Sequence, residues 1–262
     1  MKLTWHIFKF VFLDNLRSLW SLVYTLFLAA SAYALIYFTG SFTRAVVSIM
    51  NIIILVAPLV SSMMMSMYYF NKTDFLHLLL AQPVRRSQVF LGMYLGVAVT
   101  LVLSVLIGLG LGLLFSLEKL DNLLPLITLM ICGTMLSLIF TALALLVSIS
   151  SKDKLGGIGL TLFVWLFMAV IYDGLILIYF IAFSEYPIEQ HAIGLSLLNP
   201  IDLSRIFIML QLDISALLGY SGAVFQKFFG AGHGMLISVF ALTAWCIIPL
   251  LAILRIGRSK DF

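Results

Sequence analysis

Charge is scarce in this sequence: only 10% of its 262 residues are Asp, Glu, Lys or Arg, against about 25% in a water-soluble domain. With 63% of residues hydrophobic, the chain cannot clothe itself in polar groups, so water is excluded as its main solvent. Cysteine is nearly absent. Cys132 and Cys246 each stand in an apolar run without a C-x-x-C partner, which excludes a disulfide framework and a thiolate metal site and leaves helix packing. There is no G-x-x-x-x-G-K-[ST] loop and no Gly-Lys pair at all, so the chain does not cradle nucleotide phosphates itself. H-E-x-x-H, G-x-S-x-G and paired carboxylates inside apolar runs are missing too, which argues against an enzyme. Short alternating segments of the β-barrel kind are also lacking, and the long apolar runs choose helices.

What is present is an all-α integral membrane protein pattern. A bilayer core about 30 Å thick takes roughly 20 apolar residues per helix, and runs near 20–39, 45–70, 88–116, 123–149, 155–183 and 235–254 predict six spans. The net charge of +4 does not point to nucleic acid, because the basic residues sit in short segments beside the spans. With the N-terminus inside, only Arg44, Lys119, Arg205 and Lys227 fall outside, and the other 11 of the 15 lie inside. Both termini are therefore expected in the cytoplasm, in a multi-pass protein of a bacterial inner membrane. Residues 1–262 read as one transmembrane domain with no small-residue cleavage site near the start, so the first span is expected to remain as an anchor.

Three segments outside the spans carry information. Residues 1–19 mix Lys2, Lys9 and Arg17 with Trp5, Phe8, Phe10 and Phe12, which predicts an amphipathic helix lying along the membrane surface. Residues 71–88 predict a short cytoplasmic helix capped by Asn71. Asp74 stands at its positive end, Phe75, Leu76, Leu79 and Leu80 form one apolar stripe, and a hard turn follows at Gln82-Pro83-Val84-Arg85-Arg86. Residues 184–234 predict an amphipathic or re-entrant outer segment. Asn199-Pro200-Ile-Asp202 opens a helix whose polar face carries Asp202, Arg205 and Asp213, and Gly219, Gly222, Gly230, Gly232 and Gly234 suggest a bent return to span six.

Within the spans, Gly92-x-x-x-Gly96 and Gly108-x-x-x-Gly112 predict close helix approach. Asp173 is the one acid set well inside an apolar run, and such a group marks either a functional interior or the cap of a kinked helix beside Gly174. Met63, Met64, Met65 and Met67 offer thioethers of the kind that suits Cu(I), although methionine also fills helix interfaces.

The run Leu78-Leu-Leu-Ala-Gln-Pro-Val-Arg-Arg-Ser-Gln-Val-Phe-Leu-Gly92 resembles the link between the second and third helices of type 2 ATP-binding-cassette (ABC) exporter permeases. Trp165 to Asp173, Leu198-Asn-Pro-Ile-Asp202-x-x-Arg205 and Arg258-Ser-Lys-Asp-Phe262 resemble in particular the NosY-type permeases of nitrous oxide reductase maturation. The resemblance implies a homodimer with two cytoplasmic ATPase subunits, which bind ATP and Mg while this chain binds no cofactor. It implies docking through the N-terminal interfacial helix and residues 71–88, a periplasmic accessory protein on Asn199, Asp202, Arg205 and Asp213, surrounding lipid, and a part in copper–sulfur centre assembly. Three other readings fit the composition: an exporter of lipid or drug, a structural protein that transmits motion, and an ion-coupled secondary transporter. The last would need more embedded ionisable groups than Asp173.

Overall fold

The computed structural model describes residues 2–39, 41–80, 84–114, 124–183, 189–212 and 219–259, and every regular element among them is a helix. A first helix α1 (Lys2–Leu16) precedes α2 (Leu19–Phe38) and α3 (Phe42–Asn71), and the eight-residue α4 (Thr73–Leu80) follows. Next come α5 (Arg86–Leu114), α6 (Leu124–Ser150) and α7 (Lys154–Leu166), which runs through a π-helical turn at Phe167–Ile171 into α8 (Tyr172–Ala182). Two short helices, α9 (Glu189–Leu197) and α10 (Pro200–Gln211), lead to α11 (Gly219–Ser259).

Among the described residues six stretches are long and apolar enough to cross a membrane: α2, α3, Arg86–Leu113, α6, Lys154–Ala182 and Leu236–Ile256. Hydropathy sets these limits, and local chemistry sets the breaks between them. Ser18 accepts from Trp20 N at 3.3 Å, Ser41 from Arg44 N at 3.4 Å and Asp153 from Gly156 N at 2.7 Å, each satisfying a donor that a helix start leaves orphaned. Between two spans the chain can turn only where such caps replace the missing ladder bonds, because lipid offers no partner.

The centre of the bundle is formed by α3, α5 and α6. Met50, Ile53, Leu101, Leu136 and Phe140 are fully buried there. A Cβ on Gly133 of α6 would stand 3.0 Å from Val105 and 3.1 Å from Ile53, so glycine sets the closeness of all three helices. Polar side chains add direct bonds: Ser148 Oγ meets Ser66 Oγ at 3.2 Å, and Tyr94 donates to the Leu138 carbonyl at 3.4 Å.

The two predicted glycine pairs both lie on α5, and their partners are the first two helices. Cβ atoms on Gly92 and Gly96 would stand 2.9 Å from Ile7 and 2.5 Å from Val11 of α1. On Gly108 and Gly112 they would stand 2.8 Å from the Thr25 carbonyl and 2.6 Å from Ala32 of α2. Sequence numbers rise together on both sides, so α1 and α2 follow α5 in the same sense. At 29 residues α5 is about 43 Å long, more than a core about 30 Å thick requires, and α1 packs along its first turns. Replacing Gly112 by leucine should drive α2 off the Ala29 carbonyl, which is 2.8 Å from the new Cβ, and should lower stability by about 1–3 kcal/mol, measured as a fall in the melting temperature of the purified chain.

A second difference lies after α10. The glycines from Gly219 to Gly234 do not bend the chain back into span six, for they are part of the 41-residue helix α11. In a non-aqueous setting the backbone bonds of a helix outweigh the weak helix propensity of glycine.

Candidate functional site

Two groups of the singled-out residues meet at opposite ends of the bundle. At the first end, α3 finishes at Asn71, Lys72 turns, and α4 begins. Asn71 does not cap α4 as expected. Its side-chain oxygen accepts from Lys154 Nζ of the α6–α7 turn at 2.8 Å, while Leu76 N bonds to the Lys72 carbonyl. Lys72 in turn pairs with Asp14 of α1 at 3.0 Å and lies 5.9 Å from the ring centres of Phe10 and Tyr68. The Phe75 ring packs on Phe10 at 5.6 Å. The helix α4 is therefore fixed to α1 and α3 at the surface.

The apolar stripe expected on α4 divides in two. Leu76 is buried, at 4% exposure, and Leu79 packs against the core, whereas Phe75 at 42%, Leu78 at 69% and the Asp74 side chain face outward. Leu76 and Leu79 are thus the attachment of α4, Phe75 adds a half-exposed contact with Phe10 at its edge, and Asp74 and Leu78 form its free face. Leu78 was missed as a site residue because both faces of α4 are apolar, and periodicity alone cannot say which one the bundle takes. Val84 packs against the core and Arg85 is exposed at the start of α5, with Arg86 partly buried. Gln82 and Pro83 lie outside the described residues.

At the opposite end, α10 is buried along most of its length. Pro200, Ile201, Leu203, Ser204 and Ile206 to Leu210 are all inside, and the Cys132 thiol of α6 reaches the Ser204 carbonyl at 3.7 Å. This corrects the picture of a helix with its polar face toward water. Asn199, fully buried, caps α10 through Ile201 N at 3.1 Å and donates from its amide to the Met168 carbonyl at 2.9 Å. Met168 belongs to the π-helical turn of span five, where wider winding disturbs the regular carbonyl pairing, and the asparagine amide bonds one of the carbonyls there.

One turn further along α10, Arg205 Nη1 bonds Asp173 Oδ2 at 3.0 Å and Asp202 Oδ1 at 3.1 Å. The acid singled out within span five is therefore paired with the arginine and aspartate singled out in the outer segment, 32 residues away. Asp173 follows the π turn directly, in the first turn of α8. Burial, and next the neighbouring Asp173 charge, push the Asp202 carboxyl up to about 7, and Arg205 pulls it partly back. Tyr172 completes the group, donating to the Leu195 carbonyl at 2.7 Å. Asp213 lies outside the described residues.

The methionine run does not act as one set. Met63, Met64 and Met67 line an open lateral groove of about 460 Å³ between α2 and α3, with Trp20 and Tyr24 across from them, whereas Met65 is fully buried in the core. Among the described residues no three His, Cys, Asp or Glu side chains gather as a metal site.

The sequence matches no family model. Two curated relatives carry the description "Probable ABC transporter permease protein NosY". One, from Stutzerimonas stutzeri, is 28% identical with 99% of each chain covered. The other, from Pseudomonas aeruginosa, is 27% identical with 82% of this chain and 85% of its own length covered. The likeness reaches from α1 through α11, so it embraces both ends of the bundle.

Proposed function

We infer that this chain is the membrane-spanning permease subunit of an ABC transporter, as its NosY relatives are described, and that it works with ATPase subunits carried on separate chains. The observation that carries this reading is the full-length likeness of a six-span chain that has no nucleotide loop of its own. The physical arrangement agrees. A permease of this kind needs a stiff element at its cytoplasmic end that a soluble subunit can push, and α4 offers two exposed apolar side chains on a helix whose other face is built into the bundle. The pair of α1 with α4, joined by Phe10 against Phe75 and Asp14 against Lys72, would carry that push to α5 along the glycine seats.

The α4 end is accordingly the cytoplasmic one, with both chain termini, and the α10 end faces outward. Single cysteines in a Cys132→Ala, Cys246→Ser background test this. Lys152→Cys should be modified only after a membrane-impermeant maleimide is given access to the cytoplasm, and Leu198→Cys, at a position 61% exposed, should react from outside. The reverse pattern would invert the assignment.

The finer reading is that two copies form the permease and that the transporter serves copper–sulfur centre assembly in nitrous oxide reductase. Span five supports the first part, for nearly all of its outward residues, from Leu160 through Phe163 and Val170 to Ile181, are exposed and apolar. Disruption of the chain in its native cell tests the second. Nitrous oxide reductase should accumulate without its copper–sulfur absorption, and a normal spectrum would contradict the assignment while leaving the permease reading in place.

A further inference from the structure

The α8 half of span five is held in an unusual way. The first half, α7, packs along α3 and α6, but beyond the π turn no other described helix packs along the chain, and only Ile176 of α8 is buried. What ties this half down is polar. Asn199 bonds the Met168 carbonyl, Tyr172 bonds the Leu195 carbonyl, and Arg205 bonds Asp173. The third tie contains an imbalance: two carboxylates share one guanidinium nitrogen, and the second oxygen of Asp173, Oδ1, is buried without a donor among the described residues. A net negative charge and an orphaned acceptor in a part-buried site are both relieved by one proton.

We propose that Asp173, Arg205 and Asp202 form a proton-controlled latch between the re-entrant helix α10 and the outer half of span five. With a proton on the carboxylate pair, Asp202 donates an O–H to Asp173 while Arg205 stays bonded to both, and the cluster is neutral. When that proton leaves to water, two like charges face each other across one arginine, and α8 is released to swing on the π turn. The helices around α10 supply few competing titratable side chains: Cys132 reaches α10 at Ser204, Tyr172 adjoins Asp173, His191 of α9 lies against Tyr179, Cys246 stands on α11 and Arg44 at the start of α3. The inference concerns the gate alone, so it stands or falls separately from the choice of cargo or ATPase.

The sign follows from linkage. A carboxyl at its ordinary 3.8 when the latch is open and pushed up to about 7 when it is closed stabilises the closed form at low pH and loses that contribution as pH rises. Between pH 6 and pH 8 opening should become about tenfold easier. Hydrogen exchange of the full chain in lipid nanodiscs reads this directly, as exchange rates of the amides from Phe167 to Ala182 after division by their intrinsic rates at each pH. The wild type should exchange about tenfold faster at pH 8 than at pH 6. Asp202→Asn, which imitates the protonated acid, should stay slow at both values, and Asp173→Asn, which removes the charge that holds Arg205 to span five, should be fast at both. A flat wild-type profile overturns the proposal, and so does a pH response that survives in either variant. Should Asp202→Asn fail to insert, the wild type and Asp173→Asn still decide.

Discussion

Aspartate at Leu78 should yield a chain that inserts and melts like the wild type but no longer holds its ATPase subunits. The Leu78 side chain, 69% exposed, points away from the bundle, so the charge meets water when the partner is absent and an apolar contact when it is bound. Loss of the partner should be near complete, because a carboxylate buried in an interface without a counter-ion costs several kcal/mol. Leu76→Asp should behave differently. It places the charge in the seat of α4, at 4% exposure, and should reduce yield and melting temperature before any question of coupling arises. Quantifying ATPase recovery and thermal midpoint together separates the two faces. Equal loss of stability in both variants would show that α4 has no free side.

Removing the arginine at the other end should produce the second large effect. Arg205→Met leaves Asp173 and Asp202 facing one another, and loss of one partner in a buried network costs about 3–5 kcal/mol. Because the arginine and Asp173 are each about a third exposed, at 37% and 35%, a loss nearer 2 kcal/mol is expected. Adding Asp173→Asn to Arg205→Met should restore part of the stability by removing one of the repelling charges. Thermal unfolding of the two single variants and the double variant gives the coupling. Strict additivity would mean that the bond at 3.0 Å contributes nothing.

The spans were legible in the sequence because bilayer thickness imposes a length and lipid forbids broken backbone, so hydropathy alone places their ends. The six limits agree within three residues. The glycine pairs were legible as close contacts, but not their partners, since spacing says that a helix must approach and not which one. The α4 helix was recognisable from Asp74, yet its one apolar stripe divides: Leu76 and Leu79 face the bundle, while Leu78, outside the stripe, is exposed.

The outer segment was the hardest to read. A polar stripe of Asp202 and Arg205 reads as a wet face when only the helix itself is considered. Inside a bundle the same stripe can be answered by another element, and that element is Asp173, which the sequence marks as either a functional interior or a helix cap. The two halves of this site were each visible; the fold joined them. Asn199 was legible as a cap, and its second bond, to the Met168 carbonyl, depends on a π turn that no local signal in residues 167–171 announces.

The central claim is that this chain moves in response to nucleotide hydrolysis on another subunit, and isolation of the native complex tests it most directly. The tagged chain, expressed at its natural level and extracted in mild detergent, should bring with it a protein that carries a G-x-x-x-x-G-K-[ST] loop, in equal numbers of copies. ATP hydrolysis by that assembly should fall to background when Leu78 is aspartate. A chain that purifies without any nucleotide-binding protein, or whose bound ATPase is unaffected by that substitution, would contradict the account.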